Sequence, residues 1–276
     1  MIKFLAKGLF RDRSRTFFPI FIITITVAVV IFALGFMRGM MNTMFLDTAV
    51  IFSGYEKVVT RAYNNESQML PNDLALVDLD PLLNQLDSRY PNYFWTPKIT
   101  FGGLLDIPDE NNETKSQGPV IAMGIDFLSS NSRQIELWGL DDLIVSGRLP
   151  KKLDEALIST KLAEKLNVQI GKKATFIGTT MDNAFSTYNF TIVGTFNLMK
   201  GQADKQMLLV DITGAQEALD MQGAASEILG FTNNLFYDDI SAISIRNDYN
   251  SNYSDTSDVY SPIMLALRDF GQMGTI

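Results

Sequence analysis

Carboxylates stand side by side at Asp141-Asp142 and at Asp238-Asp239, and a paired acid and base is common equipment for moving protons. Nothing else in the sequence selects either pair, and adjacent acids on a solvated loop account for them equally well. Asp78, Asp80 and Asp87 lack the glycine of a calcium loop, and Pro81 interrupts them. Gly171-Lys172 has Leu166 where a phosphate-binding loop needs its first glycine, and Lys173 where it needs Ser or Thr. There is no glycine fingerprint for a dinucleotide. Histidine and cysteine are both absent from the 276 residues. That removes thiolate nucleophiles, disulfides, His/Cys zinc sites, haem ligation by those residues and any Ser-His-Asp triad. Of the usual nucleophile arrangements only Ser–Lys remains, and serines and lysines are too common here to single out a pair. The expectation is a chain that is not an enzyme, with no catalytic, cofactor-binding or metal-binding residue of its own.

The elements say more than the reactive groups. Residues 1–15 hold Lys3, Lys7, Arg11, Arg13 and Arg15 against Asp12 alone. Residues 16–37 carry no charge, and 17 of these 22 are aliphatic, aromatic or Met. The remainder carries 18 basic and 30 acidic groups, and this acidic balance argues against nucleic acid as a partner. Twenty-two helical residues rise about 33 Å, which matches a hydrocarbon core of about 30 Å. Pro19 is expected in the first turn, where its missing N–H costs no helical bond. The threonines of the run can bond back to helix carbonyls. The run is longer than a signal-peptide core and follows five basic residues, so it reads as an uncleaved transmembrane helix. Positive charge on its N-terminal side places residues 1–15 in the cytoplasm and the bulk of the chain outside it. The lack of cysteine leaves the redox compartment open.

Residues 2–12 read as a short basic amphipathic helix on the membrane surface, or as a basic tail that only sets topology. Met37, Met40, Met41 and Met44 keep helical spacing and extend the span as a stalk to about residue 50. They pack against a neighbouring helix, or offer a soft surface to a lipid or acyl chain. Ser53-Gly54 breaks the stalk, and a first strand follows. Asp80-Pro81 opens a helix, 93–105 is a strand with Pro97 at an edge or bend, and 109–115 is a hairpin tip. Residues 119–125 return as a strand. Ser146-Gly147-Arg148-Leu149-Pro150 is a turn, in which Arg148 is placed to pair with Asp154 or Glu155. Ser159 or Thr160 caps a helix, and Thr213-x-x-Gln216 is a capping box. Residues 188–196 and 241–246 alternate as strands, and from Ser261-Pro262 a helical pattern rises through Met264, Leu265 and Leu267. Many short strands with three or four short helices make the fold class α+β.

This order resembles the first half of a permease of the FtsX-like, or MacB-like, family, which includes macrolide exporters and lipoprotein-releasing ABC permeases. The stretch GRLPKKLDEALISTKLAEKLNVQIGKKATFI, residues 147–177, is similar to a family pattern. That pattern runs Gly-Arg, an acidic residue, a short strand, a Leu-Ala-x-x-Leu helix, then Gly and a strand. Thr191-Ile192-Val193-Gly194-Thr195-Phe196 resembles the strand that closes this unit, and Ser53-Gly54-Tyr55 the start of the periplasmic core in the lipoprotein-release branch. Gly147, Arg148 and Pro150 are carried by this resemblance. It implies four domains of sequence: a cytoplasmic segment at 1–15, a transmembrane helix and stalk at 16–50, a periplasmic core at 51–259, and 260–276 as a helix leading to a second span. Within the core, β-α-β units would be interrupted by a mostly β subdomain at about 140–212. It further implies a chain that is the N-terminal half of an inner-membrane permease and that dimerises with a second permease subunit. ATP would be held by a partner ATP-binding subunit, with membrane lipid and a lipoprotein as further partners. A single-span anchored binding or scaffold protein without an ATPase is the competing expectation.

Overall fold

The computed structural model describes residues 13–111, 113–130, 132–197 and 205–269, with the side chains of 13–16, 38 and 41–50 outside that description. The expected basic helix at 2–12 and the last residues from 270 onward also lie outside it. The chain divides into two compact units, Met1–Ala49 and Val50–Ile276.

The first unit is the body of one helix, α1, which runs Arg13–Phe52. Its stretch Phe17–Met37 has a mean hydropathy of 2.8 with none of it buried, so it is long and apolar enough to cross a membrane. Thr24 and Thr26 donate their hydroxyls to the carbonyls of Ile20 and Ile22, each at 2.8 Å, which removes their polarity from the surface. Pro19 lies inside the helix and not in its first turn, because the helix already runs at Arg13. A proline there leaves a carbonyl one turn back without its donor, a defect tolerated where water or headgroups reach the backbone.

The second unit is α+β, as expected. Among the described residues ten strands form one sheet: β1 (Glu56–Thr60), β2 (Tyr93–Pro108), β3 (Thr114–Ile125), β4 (Ile144–Gly147), β5 (Glu155–Ser159), β6 (Lys173–Thr179), β7 (Phe185–Phe196), β8 (Met207–Asp211), β9 (Glu227–Thr232) and β10 (Pro262–Ala266). Their order is β10-β1-β9-β2-β3-β8-β5-β7-β4, with β6 bridging β2 and β7. Two neighbours are parallel, β3 with β8 and β5 with β7. The 16 residues of β2 serve two parts of the sheet: Tyr93–Lys98 pair with β9, and Ile99–Pro108 with β3. Pro97 falls in the half paired with β9, where the missing N–H is tolerated.

Helices α2 (Arg61–Glu66), α3 (Leu79–Arg89), α4 (Gln134–Trp138), α5 (Leu140–Leu143), α6 (Thr160–Leu166), α7 (Ile212–Leu219) and α8 (Asp239–Asn252) cover the sheet. Leu86, Leu162, Leu166, Ala215, Leu219 and Tyr249 of α3, α6, α7 and α8 join Phe101, Phe176 and Phe190 in one core cluster. A second cluster around Ile125, Trp138, Leu157, Phe196 and Leu209 receives Ile51 and Phe52. The last turn of α1 thus belongs to the core of the second unit.

Several local expectations are corrected. Residues 241–246 are helical, not a strand. Ala242, Ile245 and Tyr249 turn inward at helical spacing, and Asp238 caps α8 by accepting from the Ser241 N–H at 3.1 Å. Pro262–Ala266 is a strand, not a helix, because all five residues pair with β1 and that pairing overrides the helical preference of Met264 and Leu265. Helix α3 begins after Asp78, which has φ of 53°, so Asp80 and Pro81 sit in its first turn. Asp211 caps α7 through the Thr213 N–H at 2.9 Å, so Thr213 is not the cap, and Gln216 instead donates to the Ala224 carbonyl. Of the two candidates for α6, Ser159 is the cap.

Candidate functional site

The turn at Gly147 closes on itself. Gly147 has φ of +88°, and a Cβ there would run into the Val193 carbonyl oxygen and the Gly194 Cα, so only glycine fits. Its neighbour Arg148 reaches Glu155 with both ends of the guanidinium, at 2.6 and 2.7 Å. The Lys151 N–H adds a bond to the same carboxylate at 2.7 Å. The Arg148 guanidinium, beside a side chain that is almost wholly buried, holds the Glu155 carboxyl down at about 2. Pro150 is buried. These three residues and Glu155 form a locked turn between β4 and β5, with both Glu155 oxygens and both terminal Arg148 nitrogens engaged within the fold.

Met37 and Met40 project from α1 and are more than half exposed. The side chains of Met41 and Met44 lie outside the described residues. The methionines before residue 49 and the Gly147 turn belong to different units, and each set is positioned by its own element.

A third place is the joint where the chain enters and leaves the core, of which the sequence marked only the entry, Ser53-Gly54-Tyr55. Gly54 takes φ of +67° to turn the chain out of α1, and a Cβ there would lie 2.7 Å from the Glu56 carbonyl. Tyr55 then donates its N–H to Gly230 at 2.9 Å and starts β1. On the way out, β10 runs antiparallel to β1, with Ala266 opposite Glu56. The Leu267 N–H donates to the Tyr55 carbonyl at 3.0 Å. Entry and exit therefore lie side by side.

Charges buried in the sheet hold this joint. The Lys98 ammonium, 2 % exposed, donates to the Phe52 carbonyl at 2.5 Å and pairs with Glu227 at 3.0 Å. Lys57 pairs with the other Glu227 oxygen at 3.3 Å. Burial pulls Lys98 below its ordinary value, against the attraction of Glu227. Burial alone would raise Glu227, but the two ammonium groups outweigh it and hold the carboxylate low. Lys98 thus supplies the donor that a final helix carbonyl otherwise lacks.

The exit is held from α8. Arg246 pairs with Asp269 at 3.4 Å, Arg268 with Asp239 at 2.9 Å, and Asp269 accepts from the Ala266 N–H at 2.9 Å. Glu56 lies against this group fully buried, and among the described residues neither of its oxygens accepts a hydrogen bond. The signal for these residues was a charge inside an apolar strand: Glu56-Lys57 before Val58-Val59, Lys98 before Ile99, Glu227 before Ile228-Leu229.

No family model matches the chain, and no curated protein matches it. Among solved structures it is similar to the extracellular domain of the noncanonic ABC-type transporter YknZ from Gram-positive bacteria. That likeness has a TM-score of 0.47 at 13 % identity and covers 76 % of this chain and 98 % of the other. It is also similar to the periplasmic region of MacB from Actinobacillus actinomycetemcomitans, with a TM-score of 0.49 at 10 % identity over 81 % of this chain and 96 % of the other.

Proposed function

We propose that this chain is a permease subunit of a mechanotransmitting ABC transporter. In this reading it is anchored in the inner membrane by Phe17–Met37, with its N-terminus in the cytoplasm and the core in the periplasm. The work is done with ATP held by a partner ATP-binding subunit, and the chain itself contributes no catalytic group, cofactor or metal site. A second permease subunit completes the dimer, and the methionine face of α1 meets lipid or that subunit. The substrate is extracted or released from the outer face of the membrane, and a lipoprotein is the favoured cargo.

The adjacency of entry and exit carries this reading. A core whose two connections leave together, with Glu56 opposite Ala266, is sensitive to any relative displacement of those connections. Buried ion pairs at the same joint make it stiff in one arrangement. The ordered family-like segments at 53–55, 147–177 and 191–196 support the same assignment.

Extraction of the intact protein in mild detergent, followed by mass spectrometry of what stays bound, tests it. A stoichiometric ATP-binding subunit is the expected result, with a lipoprotein alongside it naming the branch. Recovery of the chain without any ATPase overturns the transporter reading in favour of an anchored binding or scaffold protein.

A further inference from the structure

Arg246 is imperfectly used. Its contact with Asp269 is 3.4 Å, long for a charged hydrogen bond, and its Nε is buried without an acceptor among the described residues. Next to it Glu56 is buried with two idle oxygens. A guanidinium has five donors and can serve one carboxylate with its fork or be shared by two. The two carboxylates stand on opposite sides of the joint: Glu56 on the entering strand, Asp269 just beyond the leaving one.

We propose that Arg246 is a two-position clamp: it holds Asp269, and thereby the exit segment, in the arrangement described here, and it passes to Glu56 when that segment is drawn away. The clamp is a property of the core and needs no ATPase. In the first position the Glu56 carboxyl is held well above its ordinary range. Burial is the main cause, the negative charge of Asp269 adds to it, and Arg246 opposes both. Tyr93 from β2 and Tyr237 from the segment before α8 are the other titratable groups that feel Glu56. In the second position Arg246 neutralises the ionised Glu56, and Asp269 is released to solvent with Ala266.

The sign of the pH effect follows. Glu56 has a raised value in the folded chain, so the stability it contributes is complete below its ordinary value of 4.5 and is lost as pH rises through the folded value. Ionisation of Glu56 also draws Arg246 off Asp269, so the Ala266 and Leu267 amides lose protection over the same range.

The test is hydrogen exchange and thermal unfolding of the full chain in detergent, for wild type, E56Q, D269N and the double variant. E56Q is expected to raise the melting temperature at neutral pH and to abolish the pH-dependent loss of protection at 266–267. D269N is expected to be mild in the wild-type background, where Arg246 can turn to Glu56. It should be severe beside E56Q, with a non-additive factor of about tenfold in the folding equilibrium. Equal cost of D269N in both backgrounds overturns the clamp. Should the double variant fail to fold, the wild-type pH series decides: protection at 266–267 that is flat with pH, after correction for intrinsic rates, overturns it equally.

Discussion

Asn250 takes the place of a neighbouring strand for Met264. Its carboxamide accepts from the Met264 N–H and donates to the Met264 carbonyl, both at 2.8 Å. Met264 lies on β10, at one end of the described sheet, whose free edge would otherwise offer a template for pairing with another chain. Replacing Asn250 by Leu removes both bonds and bares a partly buried donor and acceptor. The expected cost is about 2–3 kcal/mol, with concentration-dependent association, read by denaturant unfolding and light scattering. Asn250→Asp keeps only the accepting half and should fall between.

Lys98 is the linchpin of the entry. Lys98→Met keeps the length of the side chain but leaves Glu227 buried with Lys57 alone. A loss of about 3–5 kcal/mol is expected, because breaking one partner out of a buried pair strands the other charge. Lys98→Met combined with Glu227→Gln should be less damaging than the two single costs together, by a coupling of about 0.5–3 kcal/mol. Hydrogen exchange at residues 52–55 should rise in the single variant, since the Phe52 carbonyl loses its donor.

The locked turn has an acid limit. Glu155 is held at about 2 in the folded chain, against an ordinary 4.5. A depressed value means that the stabilisation is present above 4.5 and disappears as pH falls from there through about 2. Arg148→Ala should lower the melting temperature at neutral pH and flatten the acid limb of the stability profile. Arg148→Lys should restore the charge without the two-pronged contact, and so recover only part of both.

The apolar run makes a topology prediction. A Val27→Arg substitution puts a charge at the middle of Phe17–Met37. Insertion should become less favourable by about 2.5–3.5 kcal/mol, measured as a loss of the membrane-integrated fraction after alkaline extraction. Reporter fusions after Arg38 should report the non-cytoplasmic side.

The sequence was readable where a segment's pattern and its partners are local. The apolar helix at 17–37, the hairpin of β2 and β3 and the Gly147 turn are all set by residues within a few positions of one another. It misled where one pattern satisfies two periods. Ile243 and Ile245 alternate as in a strand, yet Ala242, Ile245 and Tyr249 also recur as in a helix, and the Asp238 cap decides the matter. At the joint it showed charges inside apolar strands but not their partners. Nothing near Lys98 in the chain announces Glu227, and nothing near Glu56 announces Arg246 or Asp269, because those partners arrive only through the register of β1, β2, β9 and β10.

That register also dictates the order of assembly. Both strands that flank β1 are made late: β9 at 227–232 and β10 at 262–266. As the chain emerges from the ribosome, Val58 and Val59 must wait without partners while most of the sheet is laid down. Contacts so distant along the chain form slowly and expose an apolar edge in the interval. Correct folding of this core thus rests on strands made late, and a nascent chain halted before residue 262 exposes the β1 edge that β10 covers.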